Sequence, residues 1–327
     1  MPTTILSVIL ATLVLLGSGC AAPRIKLFPS QTDPLQEFTL EGRTEEKILV
    51  IPVRGVISNS PDEGLIRTKP SMVQEVVSHL RKAGEDPMVK AVVLQINSPG
   101  GSVTGSDILY HEIMRFKEER KIPVVAAMLD VAASGGYYIA LPADHILAHP
   151  TTVTGSVGVI FIRPKVSGLM EKIGVGVEVS KSGVNKDIGS PFRPATPEEQ
   201  TLMNAMTEQL GKRFSDLVLL HRKADPAALA EVATARVFLA ERALSLGLVD
   251  GIGYMPDALQ EARTRAGLPA NARVIVYRRN ENPNDNIYNP VTSYEGGRPV
   301  AWLDLGLPRL TPSHQAGFYY LWLPAAE

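Results

Sequence analysis

Apolar runs alternate with amphipathic segments through the first half of the chain. The runs at 47–57, 91–96 and 123–129 are short, continuous and rich in Val and Ile, which is typical of strands buried on both faces. Between them, 71–82 and 106–117 carry apolar residues at helical spacing. Strands that alternate with helices indicate right-handed crossovers, so the pattern predicts an α/β fold with a parallel sheet and helices on its faces.

The second half of the chain favours helices. Thr196, Pro197 and Glu199 stand at the spacing of a capping box with proline in the first turn, which predicts a helix from there to residue 223. The remaining elements predicted from the pattern are helices at 166–173, 227–233, 240–246 and 255–266, and strands at 145–148, 157–161, 175–180 and 274–277.

The N-terminus predicts export. Residues 5–16 form an apolar run too short to span a bilayer comfortably, and small residues and Cys20 follow it. We interpret 1–20 as a lipoprotein-type signal peptide with Cys20 as the lipidated residue, and 21–45 as a tether. Gly17 stands where a lipoprotein signal prefers Leu, and no Lys or Arg lies in the first four residues, so an uncleaved anchor at 5–22 remains the alternative. The body is predicted at 46–277 and a polar arm with an aromatic end at 278–327.

Composition narrows the function. The 327 residues are 45% hydrophobic and 20% charged, as in a globular protein. A net charge of −1 gives no reason to expect nucleic acid as a partner. Cys20 is the single cysteine and no Cys/His cluster is present, so we expect neither a disulfide, nor a metal, nor a cofactor.

One turn has the form of a nucleophile site. Residues 130–138 read Asp-Val-Ala-Ala-Ser-Gly-Gly-Tyr-Tyr, between a predicted strand and a short helical segment. Such a turn can hold the Ser134 hydroxyl in front of backbone amides, where an oxyanion would be stabilised. The alternative is a turn that uses small residues only for packing.

A serine nucleophile needs a base. None of the six histidines stands where a triad would need it, and the neighbourhood two dozen residues after Ser134 has none, so lysine is the remaining candidate. Residues 181–191 supply Lys186. A lysine with its usual pKa of about 10.4 is a poor base at neutral pH, so its site must lower that value by roughly three units, about 4 kcal/mol. Asp187 is adjacent and could oppose this, unless the segment is extended and the two side chains diverge.

Five segments together carry a resemblance to a known family. They occur in order at 97–101, 130–138, 154–158, 182–191, and 236–238 with 247–250. In these residues the chain resembles signal peptide peptidase A, the Ser–Lys peptidase family on the ClpP/crotonase fold, in its short single-repeat form. The resemblance implies a repeated β-β-α superhelix with parallel sheets flanked by helices and a helical C-terminal extension. Ala235, Leu239 and Ala240 depart from the family pattern at positions away from the expected chemistry.

The resemblance also implies roles for individual residues. Ser134 would be the nucleophile, Lys186 the general base, and Ser156 a hydrogen-bond partner that orients the lysine. The amides of Gly101 and Gly135, with Gly100 beside them, would form the oxyanion hole. The family assembles into rings, and its short form builds each site from Ser of one protomer and Lys of the next.

The sequence therefore predicts a membrane-tethered serine endopeptidase in the bacterial envelope, facing the periplasm or another extracytoplasmic space. Its expected partners are apolar extended peptides, such as released signal peptides, bound as a strand beside 101–104 and 160–163. A crotonase-type acyl-CoA enzyme and a catalytically silent scaffold of the same fold remain alternatives. We further expect the aromatic segment at 304–327 to dock near the substrate groove or across a ring interface and to limit access.

Overall fold

The structure is a computed structural model that describes residues 34–63, 68–222, 225–279, 287 and 317–325. The strands are β1 (Gln36–Glu41), β2 (Lys47–Arg54), β3 (Asp62–Glu63), β4 (Thr68–Lys69), β5 (Val89–Ser98), β6 (Gly100–Ser102), β7 (Val124–Ala133), β8 (His145–Ala148), β9 (Val153–Gly155), β10 (Ile160–Ile162), β11 (Val237–Leu239), β12 (Gly251–Ile252), β13 (Arg273–Arg278) and β14 (Gly317–Leu321). The α-helices are α1 (Met72–Glu85), α2 (Val103–Arg120), α3 (Gly135–Tyr138), α4 (Ser167–Lys172), α5 (Pro197–His221), α6 (Pro226–Val232), α7 (Ala240–Ser245) and α8 (Met255–Ala266).

A large sheet organises the described part of the chain. Its order is β1-β13-β2-β5-β7-β8-β12, and β9 lies beside the end of β7 with β11 as its outer neighbour. The central pairs β13/β2, β2/β5, β5/β7 and β7/β8 are all parallel. The α/β class with a largely parallel sheet, predicted from the sequence, is confirmed.

Both faces of the sheet are covered, which explains the continuous apolar runs. In β2, Ile48 and Val50 belong to the layer that includes Leu259 of α8, whereas Leu49 and Ile51 belong to the layer on the other face. Successive side chains of a strand point to opposite faces, so most positions of a strand buried on both sides are apolar.

Two helices begin where the sequence predicts. The Ser71 hydroxyl accepts a hydrogen bond from the Gln74 amide at the start of α1 (3.1 Å). At the start of α5, Thr196 Oγ1 accepts from the Glu199 amide (3.2 Å), and the Glu199 carboxylate accepts from the Thr196 amide (3.0 Å). These bonds satisfy amides that a helix leaves unpaired, and so they fix both helix starts.

The structure differs from the sequence prediction in three short segments. Residues 175–180 are not a strand, because nothing in the described structure pairs with them and their valines remain about half exposed. The strand predicted at 157–161 is replaced by β9, which ends at Gly155, and β10, which begins at Ile160. Residues 36–41, assigned to the tether, form β1 and pair antiparallel with β13.

The signal peptide at 1–20, Cys20, the first part of the tether and most of the arm at 278–327 lie outside the described residues. Within the described ranges, no helix combines the length and the apolar character needed to cross a membrane.

Candidate active site

Ser134 lies between the end of β7 and the start of α3. Its backbone has φ 53° and ψ −118°, a conformation that costs a non-glycine residue about 1–3 kcal/mol. Two hydrogen bonds hold it there: the Ser134 amide donates to the Gly155 carbonyl (2.8 Å), and the Tyr138 amide donates to the Ser134 carbonyl (2.9 Å). Among the described residues, no hydrogen-bond partner of the Ser134 hydroxyl is found. A strained strand-to-helix turn with an uncommitted hydroxyl is the geometry expected of a nucleophile.

The Gly100–Gly101 pair approaches this turn from β6. Gly100 has φ +99°, and a β-carbon there would overlap the Tyr320 carbonyl oxygen and lie 2.6 Å from the Gly135 nitrogen. At Gly101 a β-carbon would overlap the Ile57 carbonyl oxygen. Both positions therefore require glycine, because backbone approaches them too closely for any side chain.

One hydrogen bond reduces the number of candidate amide donors in the predicted oxyanion hole. The Gly100 amide donates to Ser98 Oγ (3.1 Å), so it is already engaged. Gly135 is the first residue of α3, where helix amides have no partner within the helix. Gly101 and Gly135 remain the candidate donors, and Gly100 contributes its conformation and its lack of a side chain.

Ser156 is brought next to Ser134 by strand register. β7 and β9 are parallel and end as a pair, with Ala133 opposite Gly155. Ser134 and Ser156 are the residues that follow these two strand ends, and the Ser134 amide donates to the carbonyl of Gly155, the residue before Ser156 (2.8 Å). Ser156 also has a positive φ (52°), and its amide donates to the Arg236 carbonyl (2.8 Å).

Lys186 lies on an exposed segment between α4 and α5. Its side chain is exposed, and no contact among the described residues joins it to Ser134 or Ser156. Nothing lies within 4 Å of a β-carbon placed at Gly183 in the same segment. A single chain therefore presents Ser134 and Ser156 together but leaves Lys186 outside that pair.

Asp187 pairs with two other cations, and its surroundings differ from those expected from the sequence. The segment is turned rather than extended, and Asp187 is held by Arg193 (2.8 Å) and Lys181 (2.7 Å). Hydrogen bonds from Arg193, and then from Lys181, keep the pKa of the Asp187 carboxyl well below its usual range. Arg193 also binds Glu199 at the start of α5, which ties the segment to that helix.

The histidines of the described structure have other partners or lie apart from the turn. His79 lies beside Glu75, His145 beside Glu261 and His221 beside Tyr110, while His149 bonds Thr151. Within the described residues, no group of His, Cys, Asp and Glu side chains comes together as metal ligands.

The groove beside Ser134 contains a strand of the same chain. β14 pairs antiparallel with β6 on one side, with Tyr320 opposite Gly101, and with β10 on the other, with Tyr319 opposite Ile160. These are the two edges between which the sequence places an extended substrate. Of the segment at 304–327, residues 317–322 thus lie at the groove.

Sequence reasoning missed the pocket that receives the side chain of Tyr320. Its wall includes Tyr138, which was recognised only as part of the turn, and Phe214 of α5. The available signal was the aromatic run at 318–322, too apolar for a polar arm, but the sequence could not say which pocket it would fill.

Comparison with known proteins agrees with this geometry. The model of peptidase family S49 matches residues 116–269. An Enterococcus faecium protein named for signal peptide peptidase SppA is 36% identical over 253 residues, covering 77% of this chain and 73% of that protein. A Synechocystis protein named as a protease, slr0021, is 37% identical over 225 residues, covering 69% and 76%. Protease 4 of Salmonella typhi is 39% identical over 191 residues, or 58% of this chain and 31% of that protein.

A solved structure of a mutant of the membrane-bound stomatin-specific protease 1510-N aligns with a TM-score of 0.40 and 18% identity, covering 71% of this chain and 92% of that one. The assignment of the chain to a family rests on the relatives that are similar in sequence. Those relatives define the class of the protein as a serine peptidase. The chain belongs to peptidase family S49, among the relatives named for signal peptide peptidase A.

We expect Gly100→Ala to lower kcat/KM for peptide hydrolysis by about 100-fold. The added β-carbon must displace either the strand in the groove or the Gly135 amide, and the loss of one oxyanion donor costs about 10²–10³ in rate. The measurement is steady-state hydrolysis of an apolar fluorogenic peptide, with the Tm recorded to show that the variant folds. Gly84→Ala is the matched control, since nothing lies within 4 Å of a β-carbon there. A folded Gly100→Ala protein with the parental kcat/KM would contradict the role given to this turn.

Proposed function

We propose that the protein is an exported, membrane-tethered serine endopeptidase that uses Ser134 and Lys186 to hydrolyse extended apolar peptides, such as released signal peptides. The observation that carries this proposal is the groove beside Ser134. The strained serine turn adjoins a groove between β6 and β10, and the apolar strand β14 of the same chain lies in that groove. Backbone pairing on both sides recognises any extended peptide, while side-chain pockets select among them.

The proposed reaction follows the residues around the groove. Ser134 Oγ attacks the carbonyl carbon of the bound peptide while the neutral Lys186 amine takes its proton. The amides of Gly101 and Gly135 stabilise the oxyanion. The tetrahedral intermediate collapses, the lysine returns the proton to the leaving amine, and water then hydrolyses the acyl-enzyme by the same route. In this proposal the Ser156 hydroxyl donates a hydrogen bond to the neutral lysine amine, or accepts one from it, and so orients the lysine.

Lys186 comes from a neighbouring protomer in this proposal. Within one chain the lysine is exposed and apart from Ser134, so the site is incomplete. The segment around Lys186 exposes large apolar side chains, including Ile173 (63%) and Val184 (77%). Exposed apolar side chains along one segment support a contact surface, and a ring of copies would cover it.

Mixing two inactive variants tests both the peptidase function and the sharing of each active site between two protomers. Ser134→Ala and Lys186→Ala should each be inactive alone on an apolar fluorogenic peptide. An equal mixture should recover about a quarter of the parental activity, because each shared site then has an even chance of an intact serine and an even chance of an intact lysine. Subunit exchange is verified by mass tags on the two variants. A mixture that exchanges subunits but stays inactive would place both residues in one chain.

The location forms part of the proposal. An apolar segment followed by Cys20 supports lipid attachment at that cysteine, with the catalytic body on the outer side of the cytoplasmic membrane. A peptidase anchored there would meet apolar peptides released at the membrane. The groove and turn need no metal or cofactor for this chemistry, and we propose no nucleic-acid partner.

A further inference from the structure

Strand β7 carries a bulge just before the serine turn. β5 and β7 pair regularly up to Met128, and the pairing resumes with Ser98 opposite Ala132. A single residue of β5, Asn97, therefore faces residues 129–131 of β7, which are less buried than the strand residues on either side of them. A bulge of this kind redirects the strand that follows it, and here that strand leads into the serine turn.

The Asn97 side chain holds this bulge by two hydrogen bonds. Its Oδ1 accepts from the Val131 amide (3.2 Å), and its Nδ2 donates to the Asp130 carboxylate (2.8 Å). An asparagine amide carries an acceptor and a donor side by side, so it can meet a backbone N–H and a carboxylate at once. The Asn97 carbonyl accepts from the Gly55 amide just beyond β2 (2.9 Å). Asn97 is thus fixed to one neighbouring strand while it holds the other.

A second side chain holds the far side of the bulge. The Thr152 hydroxyl, fully buried just before β9, donates to the Leu129 carbonyl (2.5 Å). The bulge therefore has one side-chain anchor towards β5 and another towards β9. Because the Thr152 anchor does not depend on Asn97, loss of the Asn97 side chain would release the bulge only on the side that faces β5.

The two segments that Asn97 joins lead to the two halves of the candidate active site. Asn97 lies four residues before Gly101, a candidate oxyanion donor. Val131 lies three residues before Ser134. Three strand residues span about 10 Å, so a shift of the bulge reaches the serine turn through continuous strand. Asn97 therefore lies where it can set the spacing between the Gly101 amide and Ser134.

We propose that Asn97 is a positioning residue for peptide hydrolysis and that it acts through the bulge at 129–131. This inference rests on the proposed role of Ser134 as the nucleophile. Asn97 touches no reacting atom, and its hydrogen bonds set the distance from the Ser134 hydroxyl to the oxyanion donors. That distance matters in the transition state, whereas the peptide binds along the edges of β6 and β10. Loss of Asn97 therefore lowers kcat and leaves KM nearly unchanged.

Steady-state hydrolysis of an apolar fluorogenic peptide by Asn97→Ala tests this role. Since a displacement of about 1 Å can cost about 100-fold in rate, we expect kcat to fall by about that factor with KM within about twofold of the parent. Asn271→Ala is the matched control. Asn271 is exposed before β13, and its backbone carbonyl, which the substitution keeps, accepts from the Arg43 amide (3.0 Å). A folded Asn97→Ala protein with the parental kcat would overturn the inference.

An exchange of the two side chains separates positioning from a general loss of stability. Asn97→Asp sets two carboxylates against each other and should lower kcat about tenfold, as for the loss of one hydrogen bond. Adding Asp130→Asn restores a carboxylate–amide pair with the roles reversed, and the carboxylate at position 97 still accepts from the Val131 amide. Both positions and Arg54 line one cavity of about 320 Å³, so the moved negative charge stays in the same cavity as that guanidinium.

We expect the double variant to recover the parental kcat, because both hydrogen bonds of the bulge are restored. A double variant no more active than Asn97→Asp would overturn the role of this pair. If the parent and Ser134→Ala hydrolysed the peptide equally well, the proposed nucleophile would be wrong and this inference would fall with it. A fully active Asn97→Ala beside an inactive Ser134→Ala would overturn this inference alone and leave the proposed function standing.

Discussion

Replacement of Ser134 by alanine is expected to abolish peptide hydrolysis, with kcat falling by about 10⁴-fold or more. In serine peptidases the nucleophile acts as a unit with its base, so its removal leaves only the contribution of oxyanion stabilisation and binding. The substitution removes one oxygen from a turn that is held by backbone hydrogen bonds of Gly155 and Tyr138, and these bonds do not involve the hydroxyl. The variant should therefore fold normally and still bind peptide.

The measurement compares kcat and KM on one apolar fluorogenic peptide for the parent and the variant. Ser78→Ala is the control, because Ser78 is on the exposed part of α1 and its hydroxyl bonds only the Gln74 carbonyl. We expect that control to keep the parental rate. Labelling by a serine-reactive fluorophosphonate should likewise occur in the parent and be lost in Ser134→Ala. If the variant kept more than a hundredth of the parental kcat, another residue would have to be the nucleophile.

Replacement of Lys186 is expected to lower kcat by about 10²–10⁴-fold, the range that a general base contributes. Lys186→Arg tests whether residue 186 acts as a proton acceptor or only through its positive charge. A guanidinium retains its proton in proteins, so the arginine variant keeps the positive charge but cannot accept the proton of Ser134. Both Lys186→Ala and Lys186→Arg should therefore be inactive.

Lys172→Ala provides the matched control for these two variants, since Lys172 is an exposed lysine of α4 in the same part of the chain. It should retain the parental kcat. Lys181 is a poorer control, because its amine holds Asp187 and its loss would disturb the segment that carries Lys186. Activity in Lys186→Arg close to that of the parent would show that the residue acts by charge and not as a base.

The fold was predictable wherever local pattern and burial agree. The runs of β2 and β5 and the capped start of α5 can be recognised in the sequence, because strands buried on both faces are largely apolar and a helix start needs side-chain acceptors. Residues 175–180 misled the prediction because their alternating valines have strand character. In a single chain they find no partner strand and remain exposed.

The candidate active site was also predictable where it depends on residues that are close together in the chain. The turn at Ser134 is local, so small residues between a strand and a helix are enough to indicate it. The hydrogen bond from the Gly100 amide to Ser98 Oγ joins residues two apart, and the pairing of Asp187 with Arg193 joins residues six apart. Both depend on the exact backbone conformation of irregular segments, which the helix and strand periodicities do not predict.

The sequence by itself determined the class of fold, the serine turn and its two glycine neighbours, and the choice of lysine over histidine as candidate base. Each of these is fixed by residues close together in the chain or by the absence of an alternative. Only the tertiary structure decided what occupies the groove. Tyr320 follows Gly101 by more than two hundred residues, and no local pattern could show that the two residues lie opposite each other in paired strands. That contact arises from long-range strand pairing, which depends on the assembled edges of β6 and β10.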